Sequence, residues 1–208
     1  MSRSNKLHAI IYTALMAAIV YVLTLLRVPL GDSKVHCGNA ASMLAGLILG
    51  PWFGGAASGV GAFLFDLNNG YELVEALVTF ASKFLMAAAA GLVAGAWKRE
   101  GKVLDGKGHT RVVLGCVVGG LTYIFLYMLK TFIKQRYVLD VTLEATWITM
   151  LGKLPATAIN NGFAAVVTPI VYTALRPALS AIGVVDRLRP KKADGAERKA
   201  DREALKSC

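Results

Sequence analysis

The chain has 208 residues, of which 55% are hydrophobic and only 17% charged, well below the roughly one quarter of charged residues in an ordinary soluble domain. Several apolar runs approach or exceed the ~20 residues a helix needs to cross a ~30 Å hydrocarbon core. Composition therefore excludes a soluble globular protein and points to an integral membrane protein.

A net charge of +10 would suggest nucleic acid in a soluble chain. Here the basic residues gather at Arg3 and Lys6, between Lys98 and Arg111, and from Arg187 to Lys206. Such clusters beside apolar spans set topology and meet anionic lipid headgroups, so lipid and not nucleic acid is the expected partner.

The first predicted helix runs from His8 to Val28. The basic start and apolar run resemble a signal peptide, but the run is too long and no small-x-small cleavage site follows, so a retained helix is expected. Ala14 and Ala18 stand four residues apart, a spacing of small residues that lets a second helix approach closely. They serve either internal packing or contact with a separate membrane subunit. Residues 29–38 read as a polar loop.

The stretch His36–Tyr71 organises the rest. Gly46, Gly50, Gly54, Gly55, Gly59 and Gly61 run through its apolar middle, and His36, Asn39, Asp66, Asn68, Asn69 and Tyr71 collect at its ends. A Gly50-Pro51 pair at the centre predicts a reversal, with a second helix over 39–50 and a third over 52–66. At 1.5 Å rise per residue each covers only about 18–23 Å, short of a full crossing, which suits helices that leave a water-accessible cavity beyond their ends. Both polar ends then return to one side of the membrane.

A fourth helix is predicted over 72–97. Glu75, Thr79 and Lys83 share one face at i, i+4 and i+8, which places Lys83 about 16 Å along the helix. A fifth covers 112–129, with Tyr123 and Tyr127 one turn apart, and residues 130–145 form a long polar connection. The sixth, over 146–175, carries Lys153, Thr157 and Asn161 on one face, with Asn160 adjacent and a bend expected at Pro155. Residues 1–180 thus read as one six-helix all-α membrane bundle with short glycine-rich second and third helices, and 181–208 as a charged cytoplasmic tail. Six crossings put both termini and the 98–111 loop together. That side holds sixteen of the 23 lysines and arginines, against five on the other and two, Lys83 and Lys153, within the membrane. Both termini are therefore expected in the cytoplasm.

Ionisable groups at such depth cost at least ~2.5–3.5 kcal/mol each on insertion scales, so they face a partner or a cavity. Either Lys83 pairs with Glu75 and Lys153 with Asp66 to hold helices together, or these groups line a ligand site. The candidate binding residues are His36, Asn39, Asp66, Asn69, Tyr71, Glu75, Lys83, Trp147, Lys153 and Asn160; Tyr71 and Trp147 would stack on a ring while amides and carboxylates read its edge. No HExxH, GxSxG, CxxC or P-loop motif is present. Cys37, Cys116 and Cys208 have no metal-ligand spacing, so no catalytic residue, metal or cofactor is expected.

His36, Gly38, Asn39, the Gly50-Pro51 pair with its following glycines, the Asp66-Leu67 pair and Gly70 resemble the substrate-binding S components of energy-coupling factor (ECF) transporters. So does the next helix, with its lysine followed by the small-residue run Met86–Gly95. Within that superfamily the chain is most similar to the group around riboflavin, pyridoxine and hydroxymethylpyrimidine uptake. The resemblance implies a six-helix bundle in the bacterial cytoplasmic membrane that binds a vitamin or vitamin-like precursor at its outer face. Ala14 and Ala18 would face a transmembrane coupling subunit working with two cytoplasmic ATPases. The alternatives are an autonomous secondary transporter using Asp66, Glu75 and Lys83 as a relay, and a small intramembrane enzyme.

Overall fold

The computed structural model describes residues 3–30, 33–98 and 105–183. Helix α1 spans Arg3–Leu25, and a short antiparallel hairpin follows, β1 (Arg27–Leu30) with β2 (Ser33–His36). Helix α2 covers Gly38–Asn68 and α3 Leu73–Ala94, trailed by a 3-10 turn over Ala96–Lys98. Helix α4 (Gly106–Ile133) continues into a π-helical turn, Lys134–Val138, and α5 runs from Leu143 to Ile182. Among the described residues five helices are long and apolar enough to cross a membrane, so this is a multi-pass membrane protein. Residues 99–104 of the basic 98–111 loop and 184–208 of the expected tail lie outside the described residues, and residues 106–111 of that expected loop form the first turns of α4.

One expectation needs correction. The 29–38 loop is largely a β-hairpin, with Arg27 paired to His36 across it, so the chain is not wholly helical. The predicted second and third helices are the two arms of α2, which break at Gly50 as expected but run on as one element, so five long helices and not six stand apart among the described residues. There φ is 84° and ψ 179°, a conformation that costs glycine little because it has no Cβ. Pro51 then begins the second arm, where its missing N–H costs nothing. The arms fold back on each other: a Cβ on Gly54 would strike the carbonyl of Ala45 and lie 2.6 Å from the Gly46 Cα.

Small residues also fix how α2 meets α3. A side chain at Gly46 would collide with the Ala87 carbonyl, and a Cβ at Gly91 would sit 2.5 Å from the Gly46 oxygen. Where lipid removes the hydrophobic drive between helices, such backbone approach supplies the packing. The outer surfaces are apolar, with Leu7, Ile10, Phe125, Ile148 and Val166 among many exposed side chains.

The bundle has two unlike ends. At one, Trp97 packs on Gly50, the Tyr172 hydroxyl donates to the Ala96 carbonyl at 3.5 Å, and Asp105 caps α4 through the Gly108 N–H at 2.9 Å. Trp52, beside the Gly50-Pro51 turn, is 75% exposed. At the other end gather the close of α1, the β-hairpin, both ends of α2, the start of α3, the π turn and the start of α5.

Candidate functional site

The second end encloses a cavity of about 500 Å³, within the usual range of ~300–1,000 Å³ for small-molecule sites. Eight of the ten candidate residues line it: His36, Asn39, Asp66, Tyr71, Glu75, Lys83, Lys153 and Asn160. They come from β2, both arms of α2, the α2–α3 turn, α3 and α5. Asn69 and Trp147 are not among the lining residues. Asn69 instead accepts a 2.8 Å bond from Arg27, and Trp147 is 52% exposed and tilted against Phe132.

The buried floor is a relay of amides. Lys83, 3% exposed, donates to Asn39 Oδ1 and lies 4.3 Å from the centre of the Tyr123 ring. Asn39 Nδ2 donates to Asn161 Oδ1 at 3.1 Å, and Asn161 Nδ2 to the Thr157 carbonyl at 2.8 Å. Asn160 accepts the His36 backbone N–H at 2.8 Å, tying the β-hairpin to α5. Asn39 and Lys83 join α2 to α3, and Asn39 with Asn161 joins α2 to α5.

His36 is fixed as a neutral ring. Its Nδ1 accepts the Gly38 N–H at 3.1 Å, so the ring proton belongs on Nε2. Burial, reinforced by the charges of Lys83 and Arg27, pushes its pKa down to about 3. The histidine therefore offers hydrogen bonding and no positive charge at neutral pH.

Of the two alternatives, the pairings of Lys83 with Glu75 and of Lys153 with Asp66 do not form. Glu75 is held by Lys134 at 3.0 Å and Lys130 at 3.7 Å. Lys130 also donates to the Thr79 hydroxyl at 3.4 Å, and Thr79 shares a side-chain hydrogen bond with Asp66. The reason is geometric: α4 and its π turn extend through residues predicted as loop, so Lys130 and Lys134 reach α3.

Sequence reasoning left out Arg27, Tyr123, Tyr127, Lys130 and Lys134, all of which line the cavity. A signal was present for four of them. Tyr123, Tyr127, Lys130 and Lys134 are spaced four, three and four residues apart, one continuous stripe on a helix. Arg27 gave none, since its position depends on the hairpin and on stacking 5.2 Å from the Phe65 ring centre. Ala14 and Ala18 lie exposed on α1, outside the packed interior.

No curated protein matches the chain in sequence. A solved structure described as "Structure and mechanism of the S component of a bacterial ECF transporter" superposes with a TM-score of 0.57 at 20% identity. It covers 82% of this chain and 96% of the other, so the two share a fold. The family described as ECF-type riboflavin transporter, S component, matches residues 4–177. With that match running from the start of α1 into the last turns of α5, this chain belongs to the ECF-type riboflavin transporter S-component family.

Proposed function

We propose that this chain is the substrate-capture subunit of an ECF-type importer. It takes up a vitamin or vitamin-like precursor (riboflavin, a B6 vitamer, a thiamin pyrimidine precursor or a deazapurine) from outside a bacterial cytoplasmic membrane. The observation that carries this reading is the 500 Å³ cavity at one end of the bundle. Polar groups from five elements converge there, including a nearly fully buried lysine that has no carboxylate within ion-pair distance among the described residues. A group that costly to bury is retained where it meets a solute.

In this reading the two arms of α2 count as separate short helices, giving six crossings. Both termini and the Gly50-Pro51 turn then face the cytoplasm with most of the basic residues, and the cavity faces outward. The exposed Ala14 and Ala18 present a smooth strip of α1 to a transmembrane coupling subunit, and two cytoplasmic ATPases supply the energy. This chain's own residues bind and orient: Lys83, Asn39 and Asn160 address polar edges of the solute, and Phe65, Tyr123 and Tyr127 face its ring.

Purified protein in lipid nanodiscs, titrated without ATP against these four compound types, should bind at least one with submicromolar affinity. Asp66→Ala and Lys83→Ala should each weaken that binding at least tenfold. Unaltered affinity in both variants would remove the cavity from the capture reaction.

A further inference from the structure

The cavity has an excess of cations. Arg27, Lys83, Lys130, Lys134 and Lys153 line it, against the carboxylates of Asp66 and Glu75 alone. Even with Lys83 set aside, four cations face two anions. The distribution matters more than the count. Glu75 is engaged twice over, by Lys130 and Lys134, and Asp66 faces the charges of Lys130 and Lys83, so both carboxylates are already taken. Arg27 spends its guanidinium on the neutral Asn69 amide and the face of Phe65.

Lys83 has only an amide oxygen and a ring face as neighbours within bonding distance. Lys153, half-buried on α5, has no ion pair or hydrogen bond from its ammonium among the described residues. Four helical or hairpin elements therefore aim positive charge into one space that holds too little negative charge to balance it. In a membrane, such charge is retained where a counter-charge arrives. The flanking walls of Phe65, Tyr123 and Tyr127 add flat apolar faces beside the cations.

We infer that the solute taken by this cavity is an organic anion: a planar ring bearing a carboxylate or a phosphate ester, its anionic group met by Lys153 and Lys83. This rests on the capture reading and narrows it, because riboflavin and pyridoxine themselves are uncharged.

The test uses matched pairs that differ in the anionic group. Protein in nanodiscs is titrated by calorimetry with nicotinate and nicotinamide, with pyridoxine 5′-phosphate and pyridoxine, and with riboflavin 5′-phosphate and riboflavin. The first pair probes a carboxylate and the other two a phosphate. In at least one pair the anionic member should bind tenfold or more tighter, and that preference should fall below threefold in Lys153→Gln. Lys153 makes no internal hydrogen bond through its ammonium, so the variant keeps the fold. Neutral members binding as tightly as their anionic twins would overturn the inference and leave the capture reading standing. A preference that survives intact in Lys153→Gln would overturn it too. Absence of binding by all six compounds would count against both.

Discussion

Replacing Lys83 by Met separates a binding lysine from a structural pin, because the two roles predict opposite balances of stability and affinity. Lys83 is 3% exposed. Removing its ammonium from the membrane interior saves about 2.5–3.5 kcal/mol on insertion scales. Against this stand the lost charged hydrogen bond to Asn39 Oδ1, about 1.5–3 kcal/mol, and the ring contact with Tyr123 at 4.3 Å, about 0.5–2 kcal/mol for a cation over an aromatic face. Methionine fills the apolar part of the space with little steric change. The opposing terms nearly cancel, so folding stability should move by no more than about 1–2 kcal/mol, or roughly 2–8 °C in Tm at this chain length. Affinity has no such compensation. Loss of one charge-assisted hydrogen bond to the solute, about 1.5–3 kcal/mol, weakens binding roughly 10- to 150-fold. Thermal unfolding followed by intrinsic tryptophan fluorescence, alongside calorimetric titration with the tightest-binding compound, reads both quantities from one preparation. A drop in Tm beyond about 10 °C with affinity intact would show that Lys83 serves only to clamp α2 to α3.

Other outcomes follow from the packing and the site. Gly46→Val drives a branched side chain into the Ala87 carbonyl and should cost about 1–3 kcal/mol or more by overpacking, read as a lower Tm, whereas Gly152→Ala, where a Cβ meets open space, should leave it within about 0.5 kcal/mol. The folded pKa of His36, about 3, lies below its ordinary 6.5, so the unfolded chain binds the extra proton first as acid is added. Its contribution to stability is full above pH 6.5 and is lost as pH falls from 6.5 towards 3; the Tm of His36→Gln should decline less over that interval than the parent's. Ala14→Trp and Ala18→Trp alter an exposed strip of α1 and should leave solute affinity unchanged while abolishing co-purification with the coupling subunit. Retention of the complex would place the contact elsewhere.

Much of the site was legible because helical periodicity survives in an apolar context. Glu75, Thr79 and Lys83 stand out at four-residue spacing among leucines and alanines, and the cavity uses all three. The reversal at Gly50 was likewise written in its dipeptide, since only glycine adopts φ near +84° without strain and proline follows easily in a first turn. What sequence could not fix was where the charges end up. Glu75 has three lysines within plausible reach, and its choice of Lys134 and Lys130 over Lys83 depends on α4 continuing helically past Leu129. A polar run such as Lys130–Tyr137 reads as loop when composition is weighed alone. Its lysines continue the stripe begun by Tyr123 and Tyr127, a pattern that spans the expected boundary and is broken by placing one there. The hairpin was missed for a related reason: Pro29 and Gly31 are loop residues by propensity, and pairing of Arg27 with His36 is a tertiary outcome.

Backbone packing and charge placement explain each other in this fold. Near the Gly50 end, Gly46 and Gly91 bring α2 and α3 to backbone contact and Gly54 brings the two arms of α2 together, leaving no room for a solute. Towards the other end the residues facing inward become Phe65, Asp66, Tyr123, Tyr127 and Lys130, side chains too large and too polar to interlock in the same way. Helices pinned together at one end and separated at the other by bulky or charged groups must enclose a space, and in lipid that space has to be wet or occupied to satisfy what lines it. The glycine run and the lysine on α3 are therefore parts of one construction. Enlarging a glycine near the turn should reach the cavity through the tilt of α2 against α3, so Gly46→Ala should weaken solute binding although residue 46 does not line the cavity. Equal affinity in that variant, at a lowered Tm, would show that the closed end and the cavity respond independently.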